Sequence, residues 1–68
     1  MKLKVFYYRE NREISVDLDT NSSVKDLLEK MNINPVSVIV SRNNELAVED
    51  EKINEKDNIR VISVISGG

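Results

Sequence analysis

Val24, Leu27, Leu28 and Met31 form the apolar stripe of one helix, and the residues on both sides of it follow strand patterns instead. A helix stripe and a sheet face must each be covered, so this arrangement favours a sheet with one helix laid across it. The helix start is marked by Ser23-Val24-Lys25-Asp26, which fits a capping box with the serine oxygen accepting from the amide three residues on. Asn32 and Asn34-Pro35 are expected to stop the helix, because Pro35 disfavours helical geometry at Asn34, and Ile33 is expected to tuck under its end.

Before the helix, residues 2–8 read as a strand with Leu3, Val5 and Tyr7 on one face and Lys2, Lys4, Phe6 and Tyr8 on the other. Residues 13–18 alternate again, with Ile14, Val16 and Leu18 inward. The polar gap between them contains Asn11, which takes a left-handed conformation at low cost, so the two runs predict an antiparallel hairpin. After the helix, residues 36–41 carry a β-branched strand signal, residues 42–45 a turn, and Leu46 and Val48 a short edge segment. Residues 48–57 are charged, with Ile53 as their apolar anchor, and residues 59–65 form a last strand. The expected class is α+β: a mixed sheet of four to five strands with one helix across one face. The first and last strands, both long and apolar, should lie side by side at its centre.

At 68 residues the chain is one domain, and it contains neither cysteine nor histidine. A chain this short buries only about 60% of the surface its unfolded form exposes, so the core is thin. Disulfides and thiolate metal sites are excluded, as are the commonest general base and metal ligand. No glycine-rich phosphate loop or metal-ligand cluster is present, and no catalytic residue, bound cofactor or metal is expected. A net charge of −2 with interspersed signs argues against nucleic acid as a partner. The longest apolar run is far short of a membrane span, and the chain opens directly into an alternating pattern, so a cytoplasmic monomer is expected.

Both glycines of the chain are its last two residues, Gly67 and Gly68. Average usage makes a given Gly-Gly pair roughly a 0.5% event. Elsewhere Asn11, Asn43-Asn44 and Asn58 stand where turns commonly use glycine. Two terminal glycines let a backbone thread a channel too narrow for a Cβ. Extended, the four residues after Val64 reach about 13–14 Å, enough to put a carboxylate inside another protein. A frayed end or cloning scar is the plain alternative. It fits less well with an apolar strand that runs to Ile65 with only Ser66 between it and the glycines. The expected division is a folded domain at 1–65 and a flexible tail at 66–68.

With the opening strand, the Ser23-Val24-Lys25-Asp26-Leu27-Leu28 helix start, the stretch 46–57 and the ending Ile59-Arg60-Val61-Ile62-Ser63-Val64-Ile65-Ser66-Gly67-Gly68, the chain resembles the ThiS/MoaD-type β-grasp sulfur carriers and their archaeal ubiquitin-like relatives. The ending is the specific part. One departure is Lys56, ahead of Asp57-Asn58, where the family usually has glycine; the turn there must tolerate a side chain. The resemblance implies a ubiquitin-like β-grasp fold and an E1-like enzyme that adenylates the carboxylate of Gly68 with ATP and magnesium, with Gly67 giving access. The product is then a thiocarboxylate for thiamine, molybdopterin or tRNA thiolation, delivered to a sulfur-accepting synthase. Alternatively, an amide forms on lysines of target proteins. A third reading, of another class, is a non-covalent β-grasp interaction module with an incidental tail.

On the ubiquitin-like pattern, Ile59 and Val61 should face the helix with Val38 and Val40, leaving Phe6, Ile39, Ile62 and Val64 outward as an apolar patch beside the tail. Together with Ile65 and Ser66 this patch is the expected docking surface for the activating enzyme. The plainer reading is β-propensity on a solvated face. The acids Glu45, Glu49, Asp50, Glu51, Glu55 and Asp57 read as a solvated loop, and none of the lysines is singled out as an acceptor.

Overall fold

A computed structural model describes residues 1–64 of the chain. Strands β1 (Lys2–Tyr7) and β2 (Arg12–Asp17) pair as an antiparallel hairpin with Leu3 opposite Val16 and Val5 opposite Ile14. This register puts the alternating apolar residues on one face: Leu3, Val5, Tyr7, Val16 and Leu18 are buried, and Ile14, on the outer strand, is half-buried. The turn closes through Asn11 at φ 51°, a left-handed position that asparagine tolerates.

Helix α1 (Val24–Lys30) is held at both ends by side-chain and backbone geometry. At its start the Asp26 amide donates to Ser23 Oγ (3.3 Å) and the Ser23 amide donates back to Asp26 Oδ2 (2.9 Å), completing the capping box. The same bonds from Ser23, backbone first and hydroxyl second, hold the Asp26 carboxyl below the usual carboxylate range. At its end Asn32 turns left-handed (φ 60°), its amide reaching the Glu29 carbonyl (3.0 Å) while the Ile33 amide reaches that of Leu28 (2.9 Å). This is the Schellman arrangement, so the stop is made at Asn32, and Pro35 comes after it. Ile33 packs against the core with Met31.

The strand expected over 36–41 begins later. Asn34 Oδ1 accepts from the Val36 amide (3.0 Å), and Pro35–Ser37 form a 3₁₀ turn that leaves Val36 79% exposed. A local side-chain acceptor and a proline suited to a helical first turn outweigh the β-propensity of valine. β3 then covers Val38–Arg42 and turns through Asn43 and Asn44, both left-handed (φ 55° and 71°), into β4 (Glu45–Ala47). Two consecutive positive-φ residues make the tight turn whose twist suits a hairpin. Val48, expected in the edge segment, lies outside it, because pairing ends at Val40 and Ala47.

β5 (Ile59–Ser63) lies parallel to β1 and antiparallel to β3, giving the order β2-β1-β5-β3-β4. The last strand is thus central and beside the first, in a ubiquitin-like β-grasp. It ends at Ser63, so Val64, expected within it, lies outside it; Ile65 and the proposed boundary between residues 65 and 66 lie outside the described residues. Ile59, Val61 and Val40 meet Val24, Leu27 and Leu28 in the core, joined from below by Ile53, the anchor of the charged crossing segment. Among the described residues no helix is long and apolar enough to cross a membrane.

Candidate functional site

The entry to β5 is tied down by polar contacts. Asp57 accepts from the Asn54 amide (2.8 Å), from Asn43 Nδ2 (3.0 Å) and from Arg42 Nη1 (3.3 Å). Arg42 also donates to the Lys52 carbonyl (3.0 Å), and Asn43 exchanges bonds with the backbone of Asn58. Partial burial pushes the Asp57 carboxyl up, but the bonds from Asn54 and Asn43 and the Arg42 charge outweigh it and hold it below the usual range. Asp57 is therefore structural and leaves the acidic loop set. Lys56 is exposed and not left-handed, so this turn does tolerate a side chain. Asn58 is not left-handed either; it works through hydrogen bonds, whereas Asn21, which the sequence pattern does not single out, is left-handed, as is Asn32 at the helix stop.

The exit of β5 is apolar. Outward residues of the central strand have neighbours on both sides: Arg60 lies between Phe6 and Ser41, and Ile62 lies opposite Ile39. On the other side the Tyr8 amide donates to the Val61 carbonyl (3.0 Å), which brings Tyr8 alongside Ile62. Phe6 and Tyr8 meet edge to face at 4.7 Å. Phe6 and Ile62 are half-buried, while Tyr8, Ile39 and Val64 are exposed, and none of the five belongs to the core facing the helix. The Val64 amide donates to the Ser37 carbonyl (3.0 Å), which fixes where the chain leaves the sheet.

Phe6, Ile39, Ile62 and Val64 are thus brought to one outward face, on which Ile39 and Ile62 form a cross-strand pair. Tyr8 belongs with them, and its signal was available in the same two-residue alternation that placed Phe6. Ile65, Ser66, Gly67 and Gly68 lie outside the described residues. Towards the opposite end the face is charged, with Lys2, Lys4 and Arg60 beside the acids Glu13 and Asp17 of β2. Among the described residues no group of three or more acidic side chains is arranged to hold a metal.

The model of the ThiS family matches residues 5–68 of the chain. The sulfur carrier protein TtuB of Thermus thermophilus is 34% identical over 53 residues, covering 78% of this chain and 82% of that one. An uncharacterised protein of Archaeoglobus fulgidus is 33% identical over 69 aligned positions, covering both chains fully. In fold, the chain matches the crystal structure of SAMP1 from Haloferax volcanii over all of both chains, with a TM-score of 0.78 at 19% identity. The family model matches nearly the whole chain, the identity to a sulfur carrier agrees with it, and so does the fold: the chain belongs to the ThiS family.

Proposed function

We propose that the chain works as a ubiquitin-like modifier through Gly68. An E1-like enzyme binds ATP and magnesium, and an oxygen of the Gly68 carboxylate attacks the α-phosphorus, releasing pyrophosphate. A lysine amine of a target protein then attacks the acyl carbon; AMP leaves, the amine loses a proton and an amide remains. The modifier supplies the acyl group and a docking surface and takes no other part in the chemistry. Phe6, Ile39, Ile62 and Val64, with Ile65 and Ser66 beyond them, dock the enzyme, and residues 66–68 act as the free tail. The reaction belongs to the cytoplasm, with the modifier as a monomer.

The observation that carries this reading is the end-to-end ubiquitin-like fold, matched over the whole chain, with an apolar outward band where the central strand ends. A second reading is favoured by the 34% identity to a sulfur carrier. In it a sulfur nucleophile takes the place of lysine, leaving a thiocarboxylate for thiamine, molybdopterin or tRNA thiolation. Intact-mass and conjugate analysis of protein from its own cells separates the two. Conjugate ladders that vanish when Gly67-Gly68 is deleted support the modifier. An oxygen-to-sulfur mass change at Gly68 without ladders replaces it with the carrier. Neither result, with the activating enzyme present, rejects both.

A further inference from the structure

Two of the most exposed large apolar side chains, Leu46 (75%) and Val48 (67%), flank the point where β4 gives out. After the pairing of Val40 with Ala47, the chain turns away to run along the helix start, where the Glu49 and Glu51 carbonyls accept from the amides of Lys25 (3.0 Å) and Val24 (2.9 Å). Val38 therefore has no β4 neighbour. The Val64–Ser37 bond sets the alternation along β3: Ser37 and Ile39 direct their backbone groups to β5, and Val38 directs its N–H and C=O to the open edge. Between this edge and the departing segment is a groove of about 260 Å³, lined by Val24, Leu28, Val40, Ala47 and Val48, with Ile39 of the outward face also on its wall.

Edge strands in native proteins are covered, charged or kept short, because unpaired backbone groups attract other strands. Here the edge is apolar and the charge stands around it. Glu45, Glu49 and Asp50 are exposed, and Glu51 is half-exposed with its carboxylate accepting from the Val48 amide (3.0 Å); the nearby cations are Lys25, Lys52 and Arg42, and Arg42 is already bonded to Asp57.

We propose that this notch is a second docking site, which meets the face beside the tail only at Ile39. Its occupant is an extended segment of another protein, with aliphatic residues at alternate positions and Lys or Arg at both ends. Such a segment pairs with the Val38 backbone, lays its apolar side chains in the groove and sets its cations against the carboxylates. A second copy of this chain is a poor fit. It would set the acids Glu45, Glu49 and Asp50 against the same acids, and β2 presents the exposed acids Glu13 and Asp17 against one base, Arg12.

The test is an NMR titration of the full chain with a short synthetic peptide of alternating valine and threonine closed at each end by Lys-Arg. Amide shifts concentrated at 37–40 and 46–50, weakening as salt rises, are the expected result. Val48→Asn should weaken binding about tenfold, since an exposed valine becomes buried only in the complex. Because Val48 is exposed, an unchanged spectrum elsewhere will show that the variant is folded. A peptide ending in Glu-Glu should not bind. The chain lacking Gly67-Gly68 should bind equally well, which keeps this site distinct from the chemistry of the tail. Shifts on the β2 edge, or at Phe6, Tyr8 and Ile62, overturn the proposal. So do dependence of binding on the tail, absence of shifts at millimolar peptide, or concentration-dependent broadening around Leu46 in the free protein.

Discussion

The two ends of β5 are built differently. At its entry, Asp57, Arg42, Asn43, Asn54 and Asn58 exchange hydrogen bonds that bind the preceding loop to the β3–β4 turn. At its exit, one backbone bond from Val64 to Ser37 closes the described sheet, and the surroundings are Tyr8, Ile39 and Ile62. The entry fixes the register of a central strand. The exit offers a surface, and the proposed activation of Gly68 needs both. Inward Ile59 and Val61 hold the same strand between the two ends by burial.

The comparison breaks most completely at the tail. Deleting Gly67-Gly68 should abolish conjugates and thiocarboxylate alike, yet leave the thermal midpoint within about 1–2 °C of the parent, because no core residue is touched. Within β5 the contrast is between faces. Ile59→Ala should cost about 2–5 kcal/mol in denaturant unfolding, much of the total stability of so small a domain. Ile62→Asp, on the open face, should cost well under that, yet lower kcat/KM for adenylation by the E1-like enzyme about 10- to 100-fold, as loss of a central apolar contact does in other interfaces. Equal destabilisation by the two would erase the distinction between the faces.

The entry end breaks more gently. Asp57→Ala takes the carboxylate partner from the Asn54 amide and Asn43 Nδ2, leaves Arg42 only the Lys52 carbonyl, and should cost about 1–3 kcal/mol. Its pH dependence follows from the lowered carboxyl pKa. A group depressed on folding stabilises the native state above its unfolded pKa of about 3.9, and that contribution is lost as pH falls through the lower folded value. Urea midpoints should fall below about pH 4 in the parent and fall less in Asp57→Asn, which is already weaker at neutral pH.

The elements legible in the chain are those with a repeating signal. The alternation of Leu3, Val5 and Tyr7 with Ile14, Val16 and Leu18, and the stripe of Val24, Leu27 and Leu28, define the hairpin and helix, and with them the inward and outward faces. Local competition hid the rest. Val36 looks like strand until the Asn34 side chain offers its amide a nearer partner. Val48 continues the pattern of Leu46, but the chain is drawn off by the helix-start amides of Val24 and Lys25. Asp57 looked like one acid among several because its partners, Arg42 and Asn43, lie well back in sequence. The apolar face beside the tail followed from period-two reasoning. The groove at Val38 did not, because it depends on where a neighbouring strand stops.

The smallest effect concerns the asparagines that replace glycine throughout the body. Asn44 sits at φ 71° in the β3–β4 turn, directly after left-handed Asn43. Glycine is favoured at the second position of such turns because it has no Cβ to crowd the left-handed conformation. Asn44→Gly should therefore relieve a small strain, offset by the greater freedom glycine gives the unfolded chain, for a net gain of about 0.2–1 kcal/mol in urea unfolding. Asn43→Gly should behave differently although its φ is nearly the same, at 55°. Its side chain holds Asp57 and the Asn58 amide, so removing it should cost about 1–2 kcal/mol despite the same backbone relief. Opposite signs at adjacent positions would show that the polar clamp at the β5 entry, and not turn conformation alone, sets the stability of that end. A gain at both would reduce the clamp to an ordinary solvated turn.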